Sequence, residues 1–243
     1  MIDRIRDAIR IFLQQDVELL PPERIPEKYL GLIPKAWKFM MNHQVKTSEI
    51  IQELWSPIQD YAPRVIQIMQ DYCSEIRMVV PNEGNTPVML CYLLRVPYRQ
   101  KYRIHCWVGK PPRDALSMTE TESKHLQFLP HSYNVFTHIH NGFSVEGNEF
   151  HGLFPGKNLI PLSSRKELEV DETQSLSLRL NRLIEFSGDI LGNRQCYDLD
   201  QPIESNDFMT TFWDHETRQN YDYQNFWDYL NKFFIDETGI SLL

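Results

Sequence analysis

The stretch Leu129 to Leu162, LPHSYNVFTHIHNGFSVEGNEFHGLFPGKNLIPL, decides the fold. Leu129, Tyr133, Val135, Phe136 and Ile139 fall at the three- and four-residue steps that gather apolar side chains on one helical face. Pro130 suits the first turn, where a missing N–H is harmless. Asn141-Gly142 predicts the end of the helix, because Asn tolerates and Gly favours the left-handed conformation that closes a helix C-terminus. Gly147 and Gly152, followed by Leu153-Phe154-Pro155-Gly156, break the exit into short strands or loops. His138 and His140 lie two residues apart on this predicted helix, roughly 200° apart around its axis, so they do not share an ion and read as ordinary helix positions.

Toward the C-terminus, LNRLIEFSGDILGNRQCYDLD from Leu180 gives strand-like runs broken at Ser187-Gly188-Asp189, and TTFWDHET follows from Thr210. In YQNFWDYLNKFFIDETG, Phe226, Trp227, Leu230, Phe233 and Phe234 form the apolar face of a final helix ended by Gly239, with Asp222 as its candidate cap. Toward the N-terminus, Thr119 to Leu126 reads as a helix and Pro111-Pro112 as a linker. Before the linker lie three strand-forming runs, EIRMVV from Glu75, PVMLCYLLRV from Pro87 and YRIHCWVG from Tyr102. The turn-forming residues 82–85 and 97–100 between them predict an antiparallel meander.

The chain opens with Ile2, Ile5, Ile9, Phe12 and Leu13 on one helical face. Pro26 to Tyr72 is again helical in pattern, with Trp37, Met40, Ile50, Ile51, Trp55, Val65, Ile66 and Met69 at core spacing. The expected class is α+β: a mixed sheet flanked by helices, preceded by a helical segment and the meander. The expected division is residues 1–113 and 114–243.

Charge divides the same way. The net charge of −8 separates into 16 Lys and Arg against 12 Asp and Glu in residues 1–113, and 9 against 21 in 114–243. An acidic second half argues against nucleic-acid binding there and favours a basic partner by steering. Arg95, Arg99, Lys101, Arg103, Lys110 and Arg113 cluster around the last strand of the meander; they are read as solvated hairpin ends that discourage edge pairing rather than as a phosphate patch. No run reaches the roughly 18 apolar residues of a membrane helix, and the N-terminus lacks the basic-then-apolar order of a leader, so a cytoplasmic chain is expected. Cys73, Cys91, Cys106 and Cys196 show no CxxC spacing and are read as free thiols.

The order of these elements resembles the SUKH superfamily over roughly residues 120–234. The resemblance is carried by Leu129-Pro130 before an aromatic helix, by Asn141-Gly142-Phe143, and by Gly152-Leu153 with the LIPLS run. It continues through Ser187-Gly188-Asp189, the Tyr-Asp-Leu strand, Trp213-Asp214-His215-Glu216 and the Phe-rich final helix. That superfamily includes yeast cell-wall-synthesis regulators and bacterial immunity proteins that neutralise polymorphic toxins. The resemblance therefore implies a non-catalytic module that binds a protein, with no cofactor and no metal. Residues 1–113 have no counterpart in it, and the connection from Ser163 to Leu178 is unusually charged. With the acidity of the second half, it makes a basic toxin domain the expected partner and Asp189, Asp198, Asp200, Asp214 and Glu216 the candidate contacts. An intracellular regulatory scaffold is the alternative.

An enzyme has less to rest on. His138, His140, His151, His215, Asp214 and Glu216 are the only metal-capable set, from which a metal-dependent hydrolase is the second alternative. There is no GxSxG elbow, no phosphate-binding glycine loop, and no base placed by the sequence beside Cys106.

Overall fold

The three runs of the meander form long strands, and away from the turn at 97–100 both of their faces are buried. The structure, a computed structural model, describes residues 1–42, 44–82, 86–113, 129–165, 179–204 and 206–240. The predicted helix at Thr119–Leu126, most of the charged connection after Ser163, and most of the turn at 82–85 lie outside the described residues. Strands β2 (Cys73–Pro81), β3 (Met89–Tyr98) and β4 (Lys101–Gly109) pair antiparallel, with Ile76 opposite Tyr92 and Tyr92 opposite Trp107. Alternation sends Tyr92, Leu94, Val96 and Trp107 into one core, and Cys91, Leu93, Cys106 and Val108 into another on the opposite face.

The sheet continues past the meander. β1 (Val17–Leu20) flanks β2, while β4 pairs with β5 (Phe143–Val145), which pairs with β6 (Gly152–Leu153). Then come β8 (Leu183–Gly188), with the short β7 (Ile160–Pro161) beside it, β9 (Arg194–Glu204), β10 (Asp207–Asp214) and β11 (Gln219–Gln224). All these pairings are antiparallel, so the expected mixed sheet is realised as an antiparallel one. Lys110 N–H donates to the Gly142 carbonyl, and Asn141 N–H to that of Pro111, which ties the Pro111-Pro112 segment into the sheet. Among the described residues, those up to Arg113 and those after it therefore share one sheet and one main core.

Helices cover both faces. α1 (Ile2–Leu13) lays Ile5 and Ile9 on the smaller core, while Phe12, expected on that face, is 40% exposed. α2 (Thr47–Trp55), α3 (Pro63–Tyr72), α4 (His131–Thr137) and α5 (Phe226–Thr238) cover the larger core. Trp55 sits at its centre, with edge-on contacts to Tyr92, Phe136, Phe143 and Phe234.

Two expectations need correction. The helix after Pro130 ends at Thr137 rather than at Asn141, so His138 closes it at the surface and His140 lies beyond it, buried. Gly142 does have positive φ (112°), in the turn rather than at a helix cap. Asp222 does not cap α5: it belongs to β11, and Asn225 is the cap, its side chain accepting from the Asp228 N–H at 2.9 Å. Gly239 closes the helix in the left-handed conformation as expected. Asn225→Ala leaves that N–H without its acceptor and should cost about 1 kcal/mol. That is a fall of about 2–4 °C in melting temperature, read by calorimetry, and an unchanged transition would remove the cap from the account.

Candidate functional site

Among the described residues, a cleft lies where α5 crosses the end of strands β8 to β11. It measures about 430 Å³ and is lined by Ser187, Asp189, Gln195, Tyr221, Tyr229, Lys232, Asp236 and Glu237 among others. Bulges shape its floor, since the register of β8 against β9 slips between Glu185 and Ser187 and that of β10 against β11 between Thr210 and Phe212. Ser187 and Tyr229 share a hydrogen bond of 2.8 Å between hydroxyls, and burial pushes the Tyr229 phenol up, so it stays neutral. Asp189, Asp222, Asp236 and Glu237 outnumber Arg194 and Lys232 in the lining, and Glu237 is paired with His151 at 3.0 Å.

Three exposed apolar side chains lie next to lining residues of the cleft. Ile190 and Leu191 stand 71% and 69% exposed in the turn between β8 and β9. Phe150, 62% exposed, belongs to a loop whose backbone carbonyl lies against Gly188. The turn carrying Ile190 and Leu191 is held rigid. The Asp189 carboxylate accepts from the N–H groups of Leu191 and Asn193 and from the Asn193 amide, and Asn193 in turn accepts from the backbone N–H of His215, at 3.4 Å, in the β10–β11 turn.

The five carboxylates expected as contacts do not form one face. Asp189 and Asp214 hold the two adjacent turns: Asp214 accepts from the N–H groups of Glu216 and Thr217 and from the Tyr221 hydroxyl, which together hold its carboxyl below the usual range, the Thr217 N–H foremost. Glu216 is exposed in the same turn. Asp198 lies on the opposite face of the sheet, opposite Leu183 in the small core around Trp213, where it accepts from Tyr223. Asp200 is exposed and pairs with Arg182 at 2.9 Å. The structure thus keeps Asp189, Asp214 and Glu216 at the cleft end and removes Asp198 and Asp200 from it.

Several residues of the Leu129–Trp213 motifs have structural roles. Pro130 precedes α4, Asn141 accepts from Gly156 N–H at 2.8 Å, and Trp213 is buried. A side chain at Gly152 would run into the Phe143 backbone. Sequence reasoning missed the cleft margin and the α5 carboxylates. The apolar pair Ile190-Leu191 inside an otherwise polar turn is the signal that could have found it.

Glu185 and His140 are buried ionisable side chains outside the cleft. Glu185, fully buried on β8, is held by Arg165 at 2.6 Å and Arg194 at 3.3 Å. His140 bonds the Lys110 carbonyl through Nδ1 (2.9 Å) and the Tyr92 hydroxyl through Nε2 (2.7 Å) within a shell of Trp37, Trp55 and Phe143. Among the described residues, no three His, Cys, Asp or Glu side chains come together as a metal site would require, and no helix is long and apolar enough to cross a membrane. No family model matches the chain, and neither does any curated protein or solved structure.

Proposed function

We propose that this chain is a non-catalytic binding module, an immunity protein of the SUKH type that acts in the cytoplasm by occluding a basic toxin domain. The observation that carries the reading is the nearness of three exposed apolar residues, Phe150, Ile190 and Leu191, to an acidic cleft that also holds aromatic side chains. Large exposed apolar side chains beside a concavity are what a partner desolvates at the centre of an interface, and surrounding charge speeds encounter and selects the sign of the partner. The order of motifs from Leu129 to Phe234 supports the same reading.

The immunity reading places a toxin gene next to this one, and the test is survival on co-expression with its product. Wild-type protein should protect. Ile190→Asp with Leu191→Asp should abolish protection while leaving the melting temperature within about 2 °C, since exposed substitutions usually change stability by less than about 0.5 kcal/mol each. Cells that die with the wild-type protein present would refute the immunity reading, and protection by the double variant would refute this surface.

A further inference from the structure

The far end of the β3–β4 hairpin has no part in the cleft. β2 pairs with β3 only as far as Leu94, and β5 pairs with β4 only over Trp107–Gly109. The ends of both strands therefore project as a two-stranded ribbon, in which Arg95 faces Ile104, Val96 faces Arg103, Pro97 faces Tyr102 and Tyr98 faces Lys101. Val96 is buried, but Arg95 and every residue from Pro97 to Arg103 are exposed. Both surfaces of the ribbon carry the same pairing of cation and ring. The Arg95 guanidinium lies 4.1 Å over the Tyr102 ring on one, and the Arg103 guanidinium 4.4 Å over the Tyr98 ring on the other, with Arg99 also within 5.4 Å of Tyr98.

The six cations grouped in the sequence are split by the fold. Lys110 pairs with Glu149 and Arg113 with Asn134 at the opposite end of β4, whereas Arg95, Arg99, Lys101 and Arg103 have no carboxylate partner among the described residues. The sequence contains no Asp or Glu from Gly84 to Arg113.

We propose that this ribbon end binds single-stranded nucleic acid. A guanidinium held over a tyrosine ring has fewer conformations to lose and still has N–H groups to offer a phosphate oxygen. Tyr98 and Tyr102 remain 45% and 58% exposed, which leaves ring surface for a base. Cations alone would suffice to keep an open strand edge from pairing; exposed rings work against that purpose, so edge protection does not account for the tyrosines. Single-stranded rather than duplex ligand follows from the surroundings. A flexible strand can meet a narrow projecting tip, while a stiff duplex carries its dense phosphate charge along the acidic remainder of the molecule.

The experiment is fluorescence anisotropy of the full chain with a fluorescein-labelled oligothymidylate, beside a duplex of equal length and a polyglutamate peptide of equal charge. Binding to the oligothymidylate should be detectable at low salt and should weaken with a log–log slope of about −2 to −3, the value for three or four neutralised phosphates on a single strand. Arg95→Gln with Arg99→Gln and Arg103→Gln should weaken it at least tenfold and flatten the slope. Tyr102→Leu should weaken it about fivefold or more with the slope retained, because it removes stacking and no charge. Melting curves establish that each variant is folded. No binding by the wild-type protein, equal binding by the triple variant, or equal or tighter binding of the duplex or the polyglutamate would each overturn the proposal.

Discussion

Glu185→Ala is expected to destabilise the protein by about 3–5 kcal/mol, the cost of breaking a buried ion pair from one side. Glu185 has no exposed surface and holds two guanidiniums, those of Arg165 and Arg194, whose side chains are only 23% and 12% exposed. Removing the carboxylate leaves two poorly hydrated cations facing each other across the vacated space. For a chain of this length such a loss corresponds to a fall of about 6–20 °C in melting temperature. Glu185→Gln should be milder, because its amide oxygen still accepts from Arg165. A melting temperature for the alanine variant within about 2 °C of the parent would show that the pair contributes little.

Lowering the pH below 6 should uncover the second large effect, at His140. The Lys110 carbonyl can only accept, so Nδ1 carries the proton and Nε2 accepts from the Tyr92 hydroxyl. A second proton would have to sit on Nε2, against the Tyr92 hydroxyl and inside an aromatic shell, and burial accordingly holds the imidazole pKa down to about 4 from the ordinary 6.5. The folded pKa is the lower one, so the native state favours neutral histidine. The associated stability is complete above about pH 6.5 and disappears as the pH falls toward 4, for a total of about 3 kcal/mol. Urea melts of the parent and of His140→Gln at pH 7.5 and pH 4.5 isolate this from carboxylate titration. The parent should lose about 2.5 kcal/mol more than the variant between the two pH values. Equal losses would mean that His140 is protonated in the fold.

How much of this was legible depends on how locally each feature is specified. The meander and the final helix were readable because Tyr92, Leu94 and Val96, or Phe226, Leu230 and Phe234, repeat at the period of their own element. The end of α4 was not. Ile139 continues the apolar pattern, yet it is buried from a turn, and His140 follows it into the core rather than around a helix. A period cannot distinguish a further helical turn from a buried bend. The separation of Asp189 from Asp198 was illegible for a related reason, since strand alternation fixes relative faces only once the bulge between Glu185 and Ser187 is known. The cleft draws on four successive strands and the final helix, and no pattern local to one element records their meeting. Glu185 is the sharpest case, a carboxylate within LIEF whose burial depends on Arg194 from the next strand and Arg165 from a loop before it.

The middle of the sheet is its thinnest part. β5 and β6 have three and two residues, whereas β3 and β4 to one side and β9 and β10 to the other have between eight and eleven. Backbone hydrogen bonds are fewest where the two broad ribbons meet, and α5 lies across that junction: Phe234 stacks on Trp107 of the first ribbon at 4.7 Å and on Phe143 of the junction at 5.7 Å, while Phe226 stacks on Tyr197 of the second at 6.1 Å. The last helix is a splint. The continuity of the molecule from one ribbon to the other is carried by aromatic side chains at the place where its backbone is narrowest.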